Sequence, residues 1–414
     1  MLTYARQRRS FPRLHRSNVV PLNRLPYWRL SLFYLIYFAA LGAWLPYWPL
    51  YLSSLDFNAE QIGYLAAAVM ATKIVAPGLW GWWADRSQQQ MGIIRFGALG
   101  SALIFAFALW RDDFWALLLI VAGFSFFWNA ILSQFDVVTL NHLGDQYHRY
   151  SLVRVWGSIG FIVVVGVLGW LFGFADIVLL PIFMFALLFG IFLSSLLVSD
   201  CEIYHPKSVT ANVFAQVLKQ PVLIVFFIGC FLMQFSHGPY YAFFSLYVQD
   251  YGYSSWDIGV LWNLGVVAEV LIFLVMHRLM ACFSLKTITV ASLGLAGLRW
   301  VLTAYFVSSL PVLVLAQCLH AASFGSFHAC AVEVIRRLFA SRYRGRAMAL
   351  YSGLSYGAGG AAGAVVSGWL WVWQPQAAFL VAAFGCFLAM LLTLFIRARS
   401  FSTGDEKTYP VDIF

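Results

Sequence analysis

Twelve runs of this chain are apolar enough and long enough to cross the roughly 30 Å hydrocarbon layer of a bilayer. They lie at about 30–52, 60–84, 91–110, 114–141, 150–173, 177–198, 220–248, 256–277, 286–307, 310–335, 346–371 and 375–397. Hydrocarbon holds no water to satisfy a bare N–H or C=O, so each run must fold as a helix bonded within itself. Charged residues make up 10% of the chain, against about a quarter in soluble domains, which leaves too little polar surface for a water-soluble fold. The expected fold class is an all-α membrane protein with twelve transmembrane helices.

The chain also repeats itself. Laid without gaps at an offset of 196 residues (238 − 42), Gly42 falls on Gly238, Leu50 and Tyr51 on Leu246 and Tyr247, and Phe57 on Tyr253. The same offset puts Ile62 on Ile258, Gly63 on Gly259 and Lys73 on Glu269. The longest polar gap, about Ser199 to Gln220, divides the chain into two halves where this offset requires it. The organisation read from these features is a basic tail 1–29, a six-helix bundle 30–198, a central loop 199–219, a second six-helix bundle 220–397 and a tail 398–414. Parallel repeats usually hold their ligand between them near the bilayer midplane. Opposite charges at equivalent depths in the two halves therefore point to a site that carries a small molecule across the membrane.

Orientation follows from the basic residues, which concentrate in cytoplasmic segments. With the N-terminus inside, the first tail holds Arg6, Arg8, Arg9, Arg13, Arg16, Arg24 and Arg29. The loop before the eleventh span holds Arg336, Arg337, Arg342, Arg344 and Arg346, while the opposite loops hold only Arg111. Both termini are expected in the cytoplasm, in a bacterial inner membrane. The net charge of +9 is dispersed over tails and short loops as topology requires, so nucleic acid is not an expected partner. Residues 1–29 lack the apolar core and cleavage site of a secretory signal and read as a basic tail near anionic lipid. The six cysteines show no metal or disulfide spacing, and no cofactor is expected.

An ionisable group in hydrocarbon costs about 3 kcal/mol or more, so each one should face a partner or a cavity. At about 1.5 Å per residue, Lys73 lies roughly 20 Å into the second span. Glu269, Arg299 and His320 lie about 18, 20 and 15 Å into the eighth, ninth and tenth spans. All four are near the midplane. Lys73 reads as a binder of an anionic substrate or as half of an ion pair. Glu269 reads as a proton carrier or as a permanent partner of Arg299, whose planar fork suits a carboxylate. His320 reads as a proton relay or as a simply hydrogen-bonded core histidine; His237 and His328 carry the same pair of readings with less weight. Asp136 and Arg154 lie closer to the cytoplasmic end and read as an inner gate or a substrate contact. Asn129, above Asp136, is a polar group able to reach the cavity, and Glu333 beside Arg336 and Arg337 reads as a gate ion pair. The aromatic clusters at Trp44, Tyr47, Trp48 and Tyr51 and at Tyr240, Tyr241, Phe243, Phe244 and Tyr247 read as an interfacial belt or as an apolar wall for a ring-bearing substrate. The glycine-rich eleventh span, Tyr351 to Gly368, reads as close helix packing.

Three stretches resemble known families. GWWADR, Gly81 to Arg86, resembles the first half of the loop motif of the major facilitator superfamily, although SQQQ follows where that pattern has a glycine and further basic residues. RYSLVRVWGSIGF from Arg149, with Asp136 eighteen positions before Arg154, resembles the fourth and fifth helices of the lactose permease type and of the bacterial 3-phenylpropionate transporters. HGPYYAFF from His237, GVLWNLGVVAEVLIF from Gly259, LRW at Leu298 and QCLHAASF from Gln317 are similar to the 3-phenylpropionate family.

The resemblance implies the major facilitator fold, two pseudo-symmetric six-helix bundles, with Asp85 and Arg86 serving the gate. It places Asp136 and Arg154 at substrate-binding positions, and Glu269, Arg299 and His320 at positions used in binding and proton coupling. Gln317 and Ser323 stand where the lactose permease type has a lysine and a second carboxylate, so its proton carrier does not transfer directly. The expected function is proton-coupled uptake of a small organic anion, an aromatic carboxylate such as 3-phenylpropionate, by a monomer in the lipid bilayer. The alternative is a sugar or nucleoside proton symporter. An enzyme is not expected, because no nucleophile–base or metal set occurs.

Overall fold

Apolar runs become rods because a helix closes its own backbone hydrogen bonds, and their ends are set by polar residues that cap the first turn. The computed structural model of the protein describes residues 26–87, 89–200, 218–339 and 341–395, with a two-residue antiparallel strand pair, Phe401–Ser402 and Thr408–Tyr409. The tails 1–29 and 398–414 and the central loop 199–219 lie largely outside the described residues.

Among the described residues, eleven helices are long and apolar enough to span a membrane: α1 Tyr27–Ser54, α2 Ala59–Ala84, α3 Gln90–Leu109, α4 Phe114–Leu143, α5 Tyr150–Leu171, α6 Ile177–Leu196, α7 Pro221–Asp250, α8 Ser255–Cys282, α9 Leu285–Tyr305, α10 Leu310–Leu338 and, last of these, α12 Pro375–Phe395. The glycine-rich run between α10 and α12 completes the count as α11. It is built of Ser341–Ser352, a π-helical segment Gly353–Gly359 and Gly360–Trp373. A second π-helical segment, Ala321–Ser326, interrupts α10, and α7 breaks at His237, just before Pro239, which has no N–H to continue the ladder. Acids that mark the loops opposite the termini serve as caps. Asp113 accepts from the Ala116 N–H, and Ser254 and Asp257 form a reciprocal capping box at the start of α8.

The helices form two six-helix bundles. Within the first, α1 packs along α5 and α6; within the second, α12 packs along α9 and α7; between the bundles, α2 lies along α11 and α5 along α8. With an even number of crossings, both described ends of the helical chain, Tyr27 and Phe395, fall on one face, called here the termini face.

The far face is closed by the repeated glycines. A Cβ on Gly63 of α2 would lie 2.9 Å from the Ala364 carbonyl oxygen and 3.1 Å from Gly368 Cα of α11. A Cβ on Gly259 of α8 would lie 2.8 Å from Tyr47 Oη and 3.0 Å from the Val165 carbonyl oxygen of α5. The residues that superpose in the sequence repeat thus make both backbone-close crossings between the bundles. Toward the termini face the contact lapses: a Cβ on Gly357 would meet Ile74, whereas one on Gly78, a turn further along α2, would meet nothing within 4 Å. Gly63→Val and Gly259→Val are therefore expected to force the far ends apart, read as a lengthened distance between spin labels at Asn58 and Gln374. An unchanged distance distribution would show that these crossings do not set the closure.

Eight of the nine residues of the aromatic clusters follow neither of the readings given from sequence. Trp44, Tyr47, Trp48 and Tyr51 and Tyr240, Phe243, Phe244 and Tyr247 are buried by protein. Their polar ends tie helices together, as Tyr47 Oη does to the Val165 carbonyl (2.6 Å) and Tyr247 Oη to the Ala304 carbonyl (2.8 Å). Of the nine residues, Tyr241 alone keeps partial exposure.

Candidate functional site

Arg299, two turns from the end of α9, is 0% exposed. Its guanidinium lies 4.3 Å from the ring centroids of Tyr240 and of Trp300, which supplies cation–π attraction in a dry setting. Nη1 donates to His320 Nδ1 (2.9 Å) and to Ser323 Oγ (3.1 Å), and Nη2 makes a longer contact with Gln317 Oε1 (3.4 Å). Gln317, His320 and Ser323 follow each other at three-residue spacing on α10, the interval that stacks side chains on one helix face. The two residues that depart from the lactose permease pattern are therefore neutral acceptors for Arg299. No carboxylate lies within ion-pair distance of it among the described residues.

The contact fixes a tautomer. Guanidinium has only donors, so His320 Nδ1 must present its lone pair and the ring proton sits on Nε2. That nitrogen faces Glu269 Oε2 at 3.7 Å. A proton placed on Nδ1 would set donor against donor and push Arg299 away. Glu269, His320 and Arg299 thus form one line, in which a proton and a guanidinium compete for a single lone pair. The reading of Glu269 as a direct partner of Arg299 gives way to one with His320 between them.

Lys73 is half-buried, and its amine approaches only the weak acceptor Met70 Sδ, at 3.5 Å. It and Glu269 are not within ion-pair distance. The cation that stands near the level of Glu269 across the bundle interface is Arg154 of α5. The helices explain this: Asn263 Nδ2 donates to the Ile162 carbonyl (3.0 Å), and carrying that antiparallel register six residues on to Glu269 reaches position 156 (162 − 6). Arg154 is within a turn of that level.

In the first bundle, Asp136 of α4 accepts from Tyr34 Oη (2.7 Å) and Tyr150 Oη (2.8 Å). Arg154 lies 4.0 Å above the Phe38 ring and 5.2 Å from that of Tyr34. Neither tyrosine is marked in the sequence, because 102 and 14 residues separate them from Asp136. Asn129 binds α4 to α2, donating to the Val69 carbonyl (2.9 Å) and Thr72 Oγ1 (2.8 Å), one residue from Lys73. Glu333 is held within its own helix by Arg336 (2.6 Å) and Arg337 (2.7 Å) and by nothing from the first bundle. Arg86 is exposed and lies 5.8 Å from the Trp82 ring; the side chain of Asp85 lies outside the described residues.

A family model described as MFS_1 like family matches residues 27–381. The chain belongs to the MFS_1 like family. Its relatives and its fold are those of major facilitator membrane transporters and not of enzymes. It is 28% identical to the probable 3-phenylpropionic acid transporter of Escherichia coli (strain K12), over 89% of this chain and 97% of that one. It is 24% identical to the maltose permease of Geobacillus stearothermophilus, over 91% and 96%. The crystal structure of nucleoside transporter NupG superposes with a TM-score of 0.79 at 19% identity, covering 89% of this chain and 98% of that one, so the two share a fold.

Proposed function

We propose that this transporter takes up a small organic anion, an aromatic carboxylate such as 3-phenylpropionate, together with protons by alternating access. The observation that carries the reading is Arg299. A buried guanidinium is normally matched by a carboxylate, because desolvating a lone charge costs several kcal/mol. Here it is held by neutral acceptors and aromatic faces, with Lys73 as a second cation that has no acid at ion-pair distance among the described residues. The substrate carboxylate supplies the missing charge, and the partly exposed ring of Tyr241 packs its apolar body. Glu269 carries the proton and His320 passes its state to Arg299. The likeness to the 3-phenylpropionic acid transporter supports the same class.

In this reading both termini are cytoplasmic in a bacterial inner membrane, the bundles 30–198 and 220–397 move against each other as a monomer, and Asp85, Arg86 and Glu333 serve the inner gate. Asp136, Arg154 and Asn129 stand on the substrate's other side. Two hydroxyls and a guanidinium around Asp136 also suit a polyhydroxylated ligand, and a maltose permease is among the relatives, so a sugar or nucleoside proton symporter is the second reading. Uptake by proteoliposomes decides between them. Saturable 3-phenylpropionate entry that rises with an inward proton gradient is expected; saturable maltose or uridine entry with no response to the aromatic acid would replace the first reading by the second.

A further inference from the structure

Below the Glu269–His320 line lies a second group of proton-exchanging side chains that the transport reading does not use. His328 of α10 has its Nδ1 3.0 Å from Tyr351 Oη and 3.1 Å from Tyr356 Oη, both on α11. The two tyrosine rings meet edge to face, with centroids 5.8 Å apart. Three polar atoms from two helices thus form a triangle, in a bundle where such groups are scarce.

The triangle cannot be satisfied in one arrangement. Neutral imidazole has one N–H and one lone pair, and in the tautomer whose lone pair is on Nδ1 only one of the two hydroxyls that approach it can donate to it at a time. Either Tyr356 donates to Nδ1 or Tyr351 does, and the two arrangements interconvert by rotating hydroxyls without moving a ring. When the Tyr356 hydroxyl turns away, Tyr351 keeps Nδ1 bonded.

The surroundings give this arrangement a direction. Glu269 of α8 packs on Gly325 of α10, where a Cβ would lie 3.2 Å from Glu269 Cγ, and the Tyr356 ring lies 6.1 Å from that of the preceding residue, Phe324. His320, Phe324 and His328 form one ring stack along α10, with centroids 5.5 and 6.1 Å apart and interplanar angles of 17° and 12°. The π-helical segments Ala321–Ser326 and Gly353–Gly359 carry Phe324 and Tyr356, and such widened turns recur at functional sites. His328 is ten residues from the end of α10, about 15 Å from the termini face. Its ring is partly exposed while Tyr351 is buried. Tyr241 and Cys230 of α7 also lie beside the group, and the Cys230 thiol is buried.

We infer that Tyr356 and His328, held by Tyr351, relay the proton between Glu269 and the termini face. A proton leaving the Glu269 carboxyl is taken at the Tyr356 hydroxyl, whose own proton passes to His328 Nδ1. The imidazolium releases a proton to the open side, so that one proton enters, one leaves and each group returns to its neutral form.

The relay rests on the proton-coupled reading above, and the experiment separates the two. In proteoliposomes loaded with the full chain, accumulation of labelled 3-phenylpropionate under a pH gradient is compared with its exchange at equal pH, which moves no net proton. His328→Asn and Tyr356→Phe are expected to slow accumulation about tenfold, within the range that a lost proton-transfer group gives, with exchange within about twofold of the unaltered protein and a larger solvent deuterium effect on accumulation. Accumulation at the unaltered rate in both variants overturns the relay and leaves proton coupling standing. Loss of exchange along with accumulation in both makes the triangle a packing unit and overturns it equally. Absence of accumulation in the unaltered protein overturns the coupling reading and the relay with it.

Discussion

Arg299→Gln is expected to lower 3-phenylpropionate uptake at least about a hundredfold at subsaturating substrate. Hydrogen bonds to a charged partner contribute roughly 1.5–3 kcal/mol each, and a forked guanidinium gives a carboxylate two of them. A loss of about 3 kcal/mol is close to two decades, since each decade is about 1.4 kcal/mol. Glutamine keeps much of the volume and can still meet Ser323 or Gln317, which limits collapse of a site where every neighbour of Arg299 is neutral. Arg299→Lys keeps the charge but loses the planar fork and its placement over Tyr240 and Trp300. Its expected uptake lies between those of the glutamine variant and the unaltered protein. Uptake by Arg299→Gln within twofold of normal would remove Arg299 from the anion site. Loss of maltose or uridine transport with no effect on the acid would move it to the second reading.

Much of the fold is legible in the residues, because hydrocarbon leaves so few ways to satisfy a backbone. The twelve apolar runs correspond to twelve helices, yet the eleventh differs in kind: its glycines permit a π-helical segment as well as close packing against α2. The repeat gave equivalent placement of Gly63 and Gly259, and the structure adds that each occupies a crossing between bundles. For the site, helical spacing puts Gln317, His320 and Ser323 on one face of α10, but their meeting with Arg299 on α9 is a finding of the structure. The partner of Glu269 could not be read from spacing either. Equivalent positions in parallel repeats sit on opposite sides of a pseudo-twofold axis, so Lys73 and Glu269 share a depth without sharing a contact. The first-bundle helix that faces α8 is α5, and its register places Arg154 near the level of Glu269. The aromatic clusters misled for a related reason, since composition at a helix end marks a depth in the bilayer and not the side of the helix that faces inward.

Glu269→Gln is expected to abolish accumulation of 3-phenylpropionate under a proton gradient while leaving exchange largely intact. One pH unit is worth about 1.4 kcal/mol per proton, so a carrier moving one net charge-compensated proton per substrate can concentrate it about tenfold per unit. A glutamine cannot release a proton, so the ratio should fall to about one. The amide occupies nearly the same space and can still face His320 Nε2, now at the 3.7 Å approach of the carboxylate. Because His320 keeps its Nε2 proton and its bond to Arg299, the anion site should survive, and exchange reports on it directly. His320→Asn offers the complementary test. It removes the lone pair for which Arg299 and a proton compete, so both accumulation and exchange should fall, the latter through weaker substrate affinity. Normal accumulation in Glu269→Gln would take Glu269 out of the coupling step. Normal exchange affinity in His320→Asn would show that the proton and Arg299 do not communicate through that ring.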